Sequence, residues 1–406
     1  MGKRAIVIGG SISGLFTAAM LQVKGWQVDI FERSSVELAG RGAGIVTHAE
    51  LIDVLEFCGA GTTDLGVHVD GRTAFDRDGN VIRQIELPQI VTSWDQLHAM
   101  TRALVADANH HLGRCFARYE NLPHSNRVRA WFTDGTSTDA DLLVGADGYR
   151  SAVRGQMHPS VQPAYAGYVV WRGVAREADL PADLKPEFFE TFGFYLPNGN
   201  EVLGYPIAGI DNDLRPGHRR YNWVWYRLVD QQNLQDMLTD ESGTCHAISI
   251  PPPLIRRDLI EGLRKEAEDF LSPPFARTLR EISAPFFTPI YDLASPTLVD
   301  GRVALVGDAA FVARPHVGMG VTKAAGDARA LAEAIEMAAG DTDAGLAGFN
   351  GARVKTGRAA FDYARHLGEY LTPQHQNAEE KRVWATQHNI DTIMRNTAVS
   401  DFLAAV

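Results

Sequence analysis

The chain is short of cysteine. Cys58, Cys115 and Cys245 are the only three in 406 residues, far apart and without a CxxC pair. That speaks against a disulfide framework or a structural zinc and suits a reducing cytoplasm. No stretch approaches the roughly 18–20 apolar residues needed to span a bilayer. Positive charge is also scarce: 39 Lys plus Arg face 50 Asp plus Glu, a formal charge of −11, with no basic tract. Such a surface repels phosphate backbones, so nucleic acid is not an expected partner. Repeats and low-complexity tracts are missing. No His, Asp or Glu cluster has metal-ligand spacing, so no metal is expected. Gly-x-Ser-x-Gly is absent too, and no hydrolase triad is legible.

What remains is globular material, 45% apolar and 22% charged, unlike a disordered or fibrous chain. A chain of 406 residues is long for one core, so two or three joined units are expected. After Met1-Gly2-Lys3-Arg4 comes a short apolar run, residues 5–8, stopped by Gly9-Gly10. It is too short for a signal peptide and reads as the first strand of a fold that begins at once.

Bounded by glycine, residues 5–8 suit a fully buried parallel strand. Residues 15–24 read as a helix closed by Gly25, and 28–32 as a second strand, which makes a right-handed βαβ unit. Two distant apolar runs end alike: 142–146 enters Asp147-Gly148, and 303–306 enters Gly307-Asp308. Ligands of open parallel sheets sit beyond the carboxyl ends of the strands, so Glu32, Asp147 and Asp308 are expected on one rim. Between about 160 and 290 the texture turns aromatic and β-branched, as in 168–172 and 221–226, which predicts a mixed or antiparallel sheet. Residues 252–283 read as helix interrupted by Pro273-Pro274, and those after Gly318 as Ala-rich helix towards the C-terminus.

Gly9-x-Ser11-x-x-Gly14 follows the first strand and opens the first helix. It is a G-x-G-x-x-G turn with Ser in the middle. The first glycine permits the tight turn, and the last permits close helix–strand packing. The free N–H groups and positive dipole end along Ser11, Ile12 and Ser13 suit a pyrophosphate. Glu32 lies 32 − 14 = 18 residues beyond Gly14, where a carboxylate accepts hydrogen bonds from ribose and repels a 2′-phosphate. Simple NAD binding is one reading of this turn. Only one such fingerprint occurs, whereas separate stable folds for flavin and nicotinamide would usually show two.

Three segments together resemble the single-component FAD-dependent aromatic hydroxylases, the para-hydroxybenzoate hydroxylase family. They are the glycine turn ending in Glu32-Arg33, then Asp147-Gly148-x-Arg150-Ser151-x-x-Arg154, then Gly307-Asp308-Ala309-Ala310 with Pro315-x-x-Gly318-x-Gly320 and Asp327-Ala328. The likeness runs from residue 3 to about 365. Within the family, residues 165–173 and Arg314-Pro315-His316 look like the 2,6-dihydroxypyridine 3-hydroxylase branch. The chain departs from the family pattern at Phe311, where His is usual, at Met319, where Gln is common, and at Gly42, where some members place an arginine that here precedes it as Arg41.

The resemblance implies an α/β protein. A Rossmann-like FAD-binding domain (1–160 with 285–365) would carry an inserted mixed or antiparallel substrate sheet (161–284) and a helical C-terminal segment (366–406). It implies FAD as cofactor, with Gly9, Ser11, Ile12, Ser13 and Gly14 at the pyrophosphate and Glu32 on the adenosine ribose. Arg33 would lie by the adenine or pyrophosphate, and Arg41 and Arg102 near the cofactor. Asp308 would hold a ribityl hydroxyl, and Asp147 would support both FAD and NAD(P)H. Pro315, Gly318 and Gly320 would start a helix aimed at the isoalloxazine.

The implied reaction hydroxylates a hydroxylated aromatic or N-heteroaromatic small molecule. NADH or NADPH would be the transient co-substrate and O2 the oxidant, by way of a flavin C4a-hydroperoxide. A neutral His or Tyr would activate the ring hydroxyl. His316 is the first candidate, with His48 and Tyr205 behind it. Trp171, Trp223, Trp225 and Tyr226 read mostly as core, with Trp223 and Trp225 on one strand face and Tyr226 on the other. The competing readings are a reductase or dehydrogenase of the same fold and a non-catalytic flavin-binding regulator. The tail 366–406 is a candidate homodimer interface.

Overall fold

Residues 5–8 are apolar and wholly buried, the condition for a strand inside a parallel sheet. They lie in the strand Arg4–Ile8, flanked in parallel by Gln27–Phe31 and Leu142–Gly145, with Val303–Leu305 beyond the latter. The structure, a computed structural model, describes residues 2–38, 43–184, 186–197, 199–372 and 377–405. His110–His111 and Val299–Asp300 complete a six-stranded sheet. Its four central strands run the same way, so Glu32, Asp147 and Asp308 follow their carboxyl ends along one edge. Ile12–Val23 is the first helix, and Gly25 behind it has φ +83°, a left-handed position that favours glycine.

A second, nine-stranded sheet lies over that edge. Its order is Phe311–Val312, Phe286–Ala294, Ala164–Arg176, Arg220–Leu228, Asn200–Ile207, Phe192–Tyr195, Val67–Phe75, Val81–Ser93, Gly44–Val46. It is mostly antiparallel, but Phe192–Tyr195 runs parallel to Val67–Phe75. The sheet therefore extends beyond residues 161–284. Strands from 44–93 and 286–312 join it through pairings that no local pattern announces.

Alternation gives this sheet two faces. Trp171, Trp223 and Trp225 share one, packed with Phe188, Phe275 and Leu279. Tyr168, Val170, Leu203, Tyr205 and Tyr226 occupy the other. The tryptophan face is roofed by Arg257–Phe270 and Pro273–Glu281. Pro273 and Pro274 start the second of these helices, at positions where a missing N–H costs nothing.

The tail, with helices Ala378–Gln387 and Ile390–Asn396, turns back on its own chain. Ile393, Met394 and Ala398 join the tyrosine face. Buried Arg72 donates to the carbonyls of Met394 and Thr397, the latter at 2.6 Å. Among the described residues no helix is long and apolar enough to cross a membrane, and all three cysteines are free.

Candidate active site

Between the two sheets lies a cavity of about 410 Å³. Its floor is the glycine turn. Gly9 has φ +109°, and a Cβ there would stand 2.4 Å from the Ala146 carbonyl oxygen; at Gly14 it would stand 1.9 Å from that of Gly9. Only glycine lets the helix start this close to the strand. Ser11 caps the helix without a side-chain hydrogen bond. The N–H groups of its first turn are thus left for a ligand, and Ser11, Ile12 and Ser13 line the cavity. Glu32 is buried and braces the turn, accepting the Gly10 and Ser34 N–H groups at 2.8 Å each.

Asp308 reaches the same floor from the last parallel strand. Its carboxylate has no hydrogen-bond partner among the described residues, and burial raises its pKa, with Lys323 opposing. The turn that presents it is pinned from behind. Asp327 accepts the Gly307 N–H (2.8 Å), and Lys323 bonds both the Gly307 carbonyl (2.8 Å) and Asp327 (2.9 Å). Arg353 closes the set on Asp327 at 2.7 Å. Asp147 sits on the rim but turns away. It accepts the Ala152 N–H (2.7 Å) and caps the next helix, while Arg154 ties that helix to the Ala309 carbonyl (3.1 Å).

Pro315, Gly318, Met319 and Gly320 line the cavity where the helix Gly320–Met337 begins, again without a side-chain cap. Gly318 has φ +62°, and its missing Cβ would meet Ala398 at 2.7 Å. Donors and acceptors without a partner among the described residues therefore converge on one space: two helix starts lacking a side-chain cap and the Asp308 carboxylate. These groups fit a dinucleotide carrying a fused, charge-accepting ring.

The opposite wall is aromatic and aliphatic, with Phe192, Leu203, Tyr205, Val224, Tyr226 and Ile290, and it also carries Arg172. Burial pushes the Tyr205 hydroxyl up to about 12 and that of Tyr226 well above its ordinary value, with Arg172 opposing both.

His316 does not line the cavity. It is buried behind Tyr226, whose ring stacks on it at 4.4 Å. Its Nδ1 lies 2.8 Å from Glu201, and its Nε2 lies 2.9 Å from the Tyr168 hydroxyl. His48 is likewise enclosed and off the lining. Nε2 faces the Ala398 carbonyl (3.3 Å), which only accepts, so Nδ1 accepts from Thr322 (2.8 Å). Burial holds its pKa down to about 4. Both histidines thus stand one layer back from the cavity, while Tyr205 is on its surface.

Arg33 is exposed beside Glu32. Arg102 pairs with Glu37 (3.2 Å) and Asp107 (2.7 Å) on the outer surface and is not part of the lining. Arg41 lies outside the described residues. The fold also gathers His366, Glu369 and His388, with ligand atoms within 4.8 Å of one another, a grouping invisible in the spacing. None of the three lines the cavity. Sequence reasoning missed Arg172 as a cavity residue and gave Tyr226 no firm place in the wall. Strand alternation opposite buried Trp171 and Trp225 was the signal for both.

A family model described as FAD binding domain-like matches residues 165–292. The chain is 34% identical over 337 residues to a 2,6-dihydroxypyridine 3-monooxygenase of Paenarthrobacter nicotinovorans, covering 81% of this chain and 82% of that protein. It is 34% identical over 221 residues, 51% of its length and 54% of the other, to a 3-amino-4-hydroxybenzoate 2-monooxygenase of Streptomyces cremeus. The solved 2,6-dihydroxypyridine-3-hydroxylase from Arthrobacter nicotinovorans superposes with a TM-score of 0.85 at 30% identity, over 94% of this chain and 96% of that one.

Proposed function

The chain belongs to the FAD-dependent monooxygenases of the para-hydroxybenzoate hydroxylase type, and within that family we propose that it hydroxylates a small hydroxylated N-heteroaromatic ring of the hydroxypyridine kind. Substrate, NAD(P)H, a proton and O2 give hydroxylated product, NAD(P)+ and water. Bound FAD would supply electron transfer from NAD(P)H to dioxygen and delivery of one oxygen atom to the ring. The observation that carries the reading is one cavity with a nucleotide-type floor and an aromatic wall.

The chain's own residues divide the work. Backbone N–H groups at Ser11–Ser13 hold pyrophosphate, and the Asp308 carboxylate accepts from a cofactor hydroxyl. The helix start at Gly320 stabilises negative charge on the reduced ring. Phe192, Leu203, Val224 and Ile290 keep the reacting space dry. Tyr205 stays protonated at neutral pH, so it donates a hydrogen bond to a ring oxygen and does not serve as a base. His316 acts as a positioning residue through Tyr226, and His48 through the tail. The free thiols suit a cytoplasmic setting. A homodimer would use helix Ala378–Gln387, none of whose residues is buried.

The test follows NAD(P)H oxidation and O2 uptake by the FAD-loaded protein against hydroxypyridines and hydroxybenzoates, with 18O2 traced into product. NAD(P)H oxidation that reduces an added organic acceptor and leaves O2 unconsumed would replace the reading with a reductase or dehydrogenase.

A further inference from the structure

His366, Glu369 and His388 come from two parts of the chain. The first lies in the last turn of the long helix Thr342–Gly368, the second caps that helix, and the third follows the tail helix Ala378–Gln387. Residues three apart share a helix face, and His366 Nδ1 lies 3.3 Å from a Glu369 carboxylate oxygen. His388 Nε2 lies 4.0 Å from the same oxygen, and the three ligand atoms all fall within 4.8 Å of one another. A tetrahedral zinc ion with bonds of about 2.0–2.2 Å holds its ligands roughly 3.3–3.6 Å apart, so small side-chain rotations close the set.

His388 supplies the reason for an ion. Its side chain is 2% exposed, and its ring stacks on Trp384 with centroids 5.1 Å apart. Both ring nitrogens face oxygens that only accept: Nδ1 the Trp384 carbonyl at 3.1 Å, Nε2 the His366 carbonyl at 2.9 Å. A neutral imidazole has one N–H. Placed on Nδ1, it leaves the Nε2 lone pair aimed at a carbonyl oxygen, with the Glu369 carboxylate beyond. Such a meeting of acceptors is unfavourable unless positive charge enters it. Two imidazoles and a carboxylate are a donor set that zinc takes, and an Nδ1–H held by a backbone carbonyl is how a ligating histidine is oriented. A second proton on His388 is the rival answer, and the test below separates the two.

We propose that His366, Glu369 and His388 form a zinc site. Its fourth position opens to water on the side where the His366 and Glu369 side chains are 36% and 54% exposed. The ion clips the tail to the body of the protein. Helix Ala378–Gln387 buries none of its own residues, yet the chain beyond it brings Thr397 and Ala398 to the cavity lining. The site stands apart from the cavity and does not depend on the reaction proposed above.

The test titrates FAD-loaded, full-length protein, first stripped with a chelator, with zinc chloride against a zinc indicator dye in excess magnesium. Wild type should take up one zinc per chain, undisturbed by magnesium. His366→Gln and Glu369→Gln should keep wild-type FAD content and lose at least about tenfold in zinc affinity. Zinc should also slow tryptic cutting at the exposed Lys381 and Arg382 in wild type and leave it unchanged in both variants. A wild type that takes up no zinc would overturn the proposal and leave the second proton as the answer at His388. So would variants that bind zinc as wild type does. Zinc uptake without slower cutting would strike the clip.

Discussion

At the cofactor end of the cavity, the groups that matter sit within a few residues of a glycine: Ser11–Ser13 beside Gly9 and Gly14, Asp308 beside Gly307, the helix start at Gly320 beside Gly318. At the opposite end, the wall is assembled from Phe192, Leu203, Tyr205, Val224, Tyr226 and Arg172, carried by four strands. The first end is governed by backbone geometry, the second by which face of a strand a residue occupies. The difference teaches where tolerance lies. A Cβ added at Gly9 or Gly14 meets backbone and has nowhere to go, whereas a wall side chain can be exchanged if strand and face are kept.

The sharpest way to break that comparison is Gly14→Ala. Its Cβ would fall 1.9 Å from the Gly9 carbonyl oxygen, so helix and turn must separate. The expected protein is colourless, with a loss beyond the roughly 4–5 kcal/mol that marks exceptional single substitutions. FAD content after purification reads this directly. A yellow, fully loaded variant would mean that the turn does not set the cofactor site.

Next in size is Trp223→Ala, on the far face of the wall sheet. Trp223 is fully buried and donates to the Phe275 carbonyl at 3.1 Å. Truncation should cost about 3–5 kcal/mol of stability in denaturant unfolding, while the folded fraction still binds FAD. Cofactor loss at equal folded fraction would show that the two ends are not separable.

This contrast also explains what was legible. The βαβ unit, the glycine turn and Asp308 could be read because each is a short local pattern whose chemistry needs contiguous residues. The two tryptophans on one face could be read from alternation. The extent of the large sheet could not, since Phe192–Tyr195 pairs with Val67–Phe75 across more than a hundred residues. For the same reason His316 and His48 looked like cavity residues. They flank glycine-rich cavity segments in sequence, but their rings turn back to Glu201 and Tyr168, and to Thr322 and Ala398. Asp147 was placed on the right rim, but its use as a helix cap depends on Ser151 and the two residues after it.

His48 lies on the seam between the ends, joining the helix behind the floor to the tail behind the wall. Its pKa falls from 6.5 unfolded to about 4 folded. Between those values the unfolded chain binds more protons, so its contribution to stability is full above pH 6.5 and is lost as pH drops towards 4. The loss should reach about 3 kcal/mol. Unfolding midpoints from pH 7 to 4 should show this slope, and His48→Gln should flatten it. A slope that survives the substitution would assign it to other groups.

The smallest effect tests the wall by itself. Tyr205→Phe removes one hydroxyl from the cavity surface and leaves the ring packed against Phe192 at 4.6 Å. If that hydroxyl donates to a substrate oxygen, KM should rise about tenfold, the worth of roughly 1–1.5 kcal/mol for one hydrogen bond. FAD content and stability should hold. Because the hydroxyl titrates only near pH 12, the substitution should leave the pH profile between 6 and 9 in place. A shifted profile would make Tyr205 a proton acceptor after all. A lost cofactor would mean that the wall reaches the floor through this residue, and the division between the two ends would have to be drawn elsewhere.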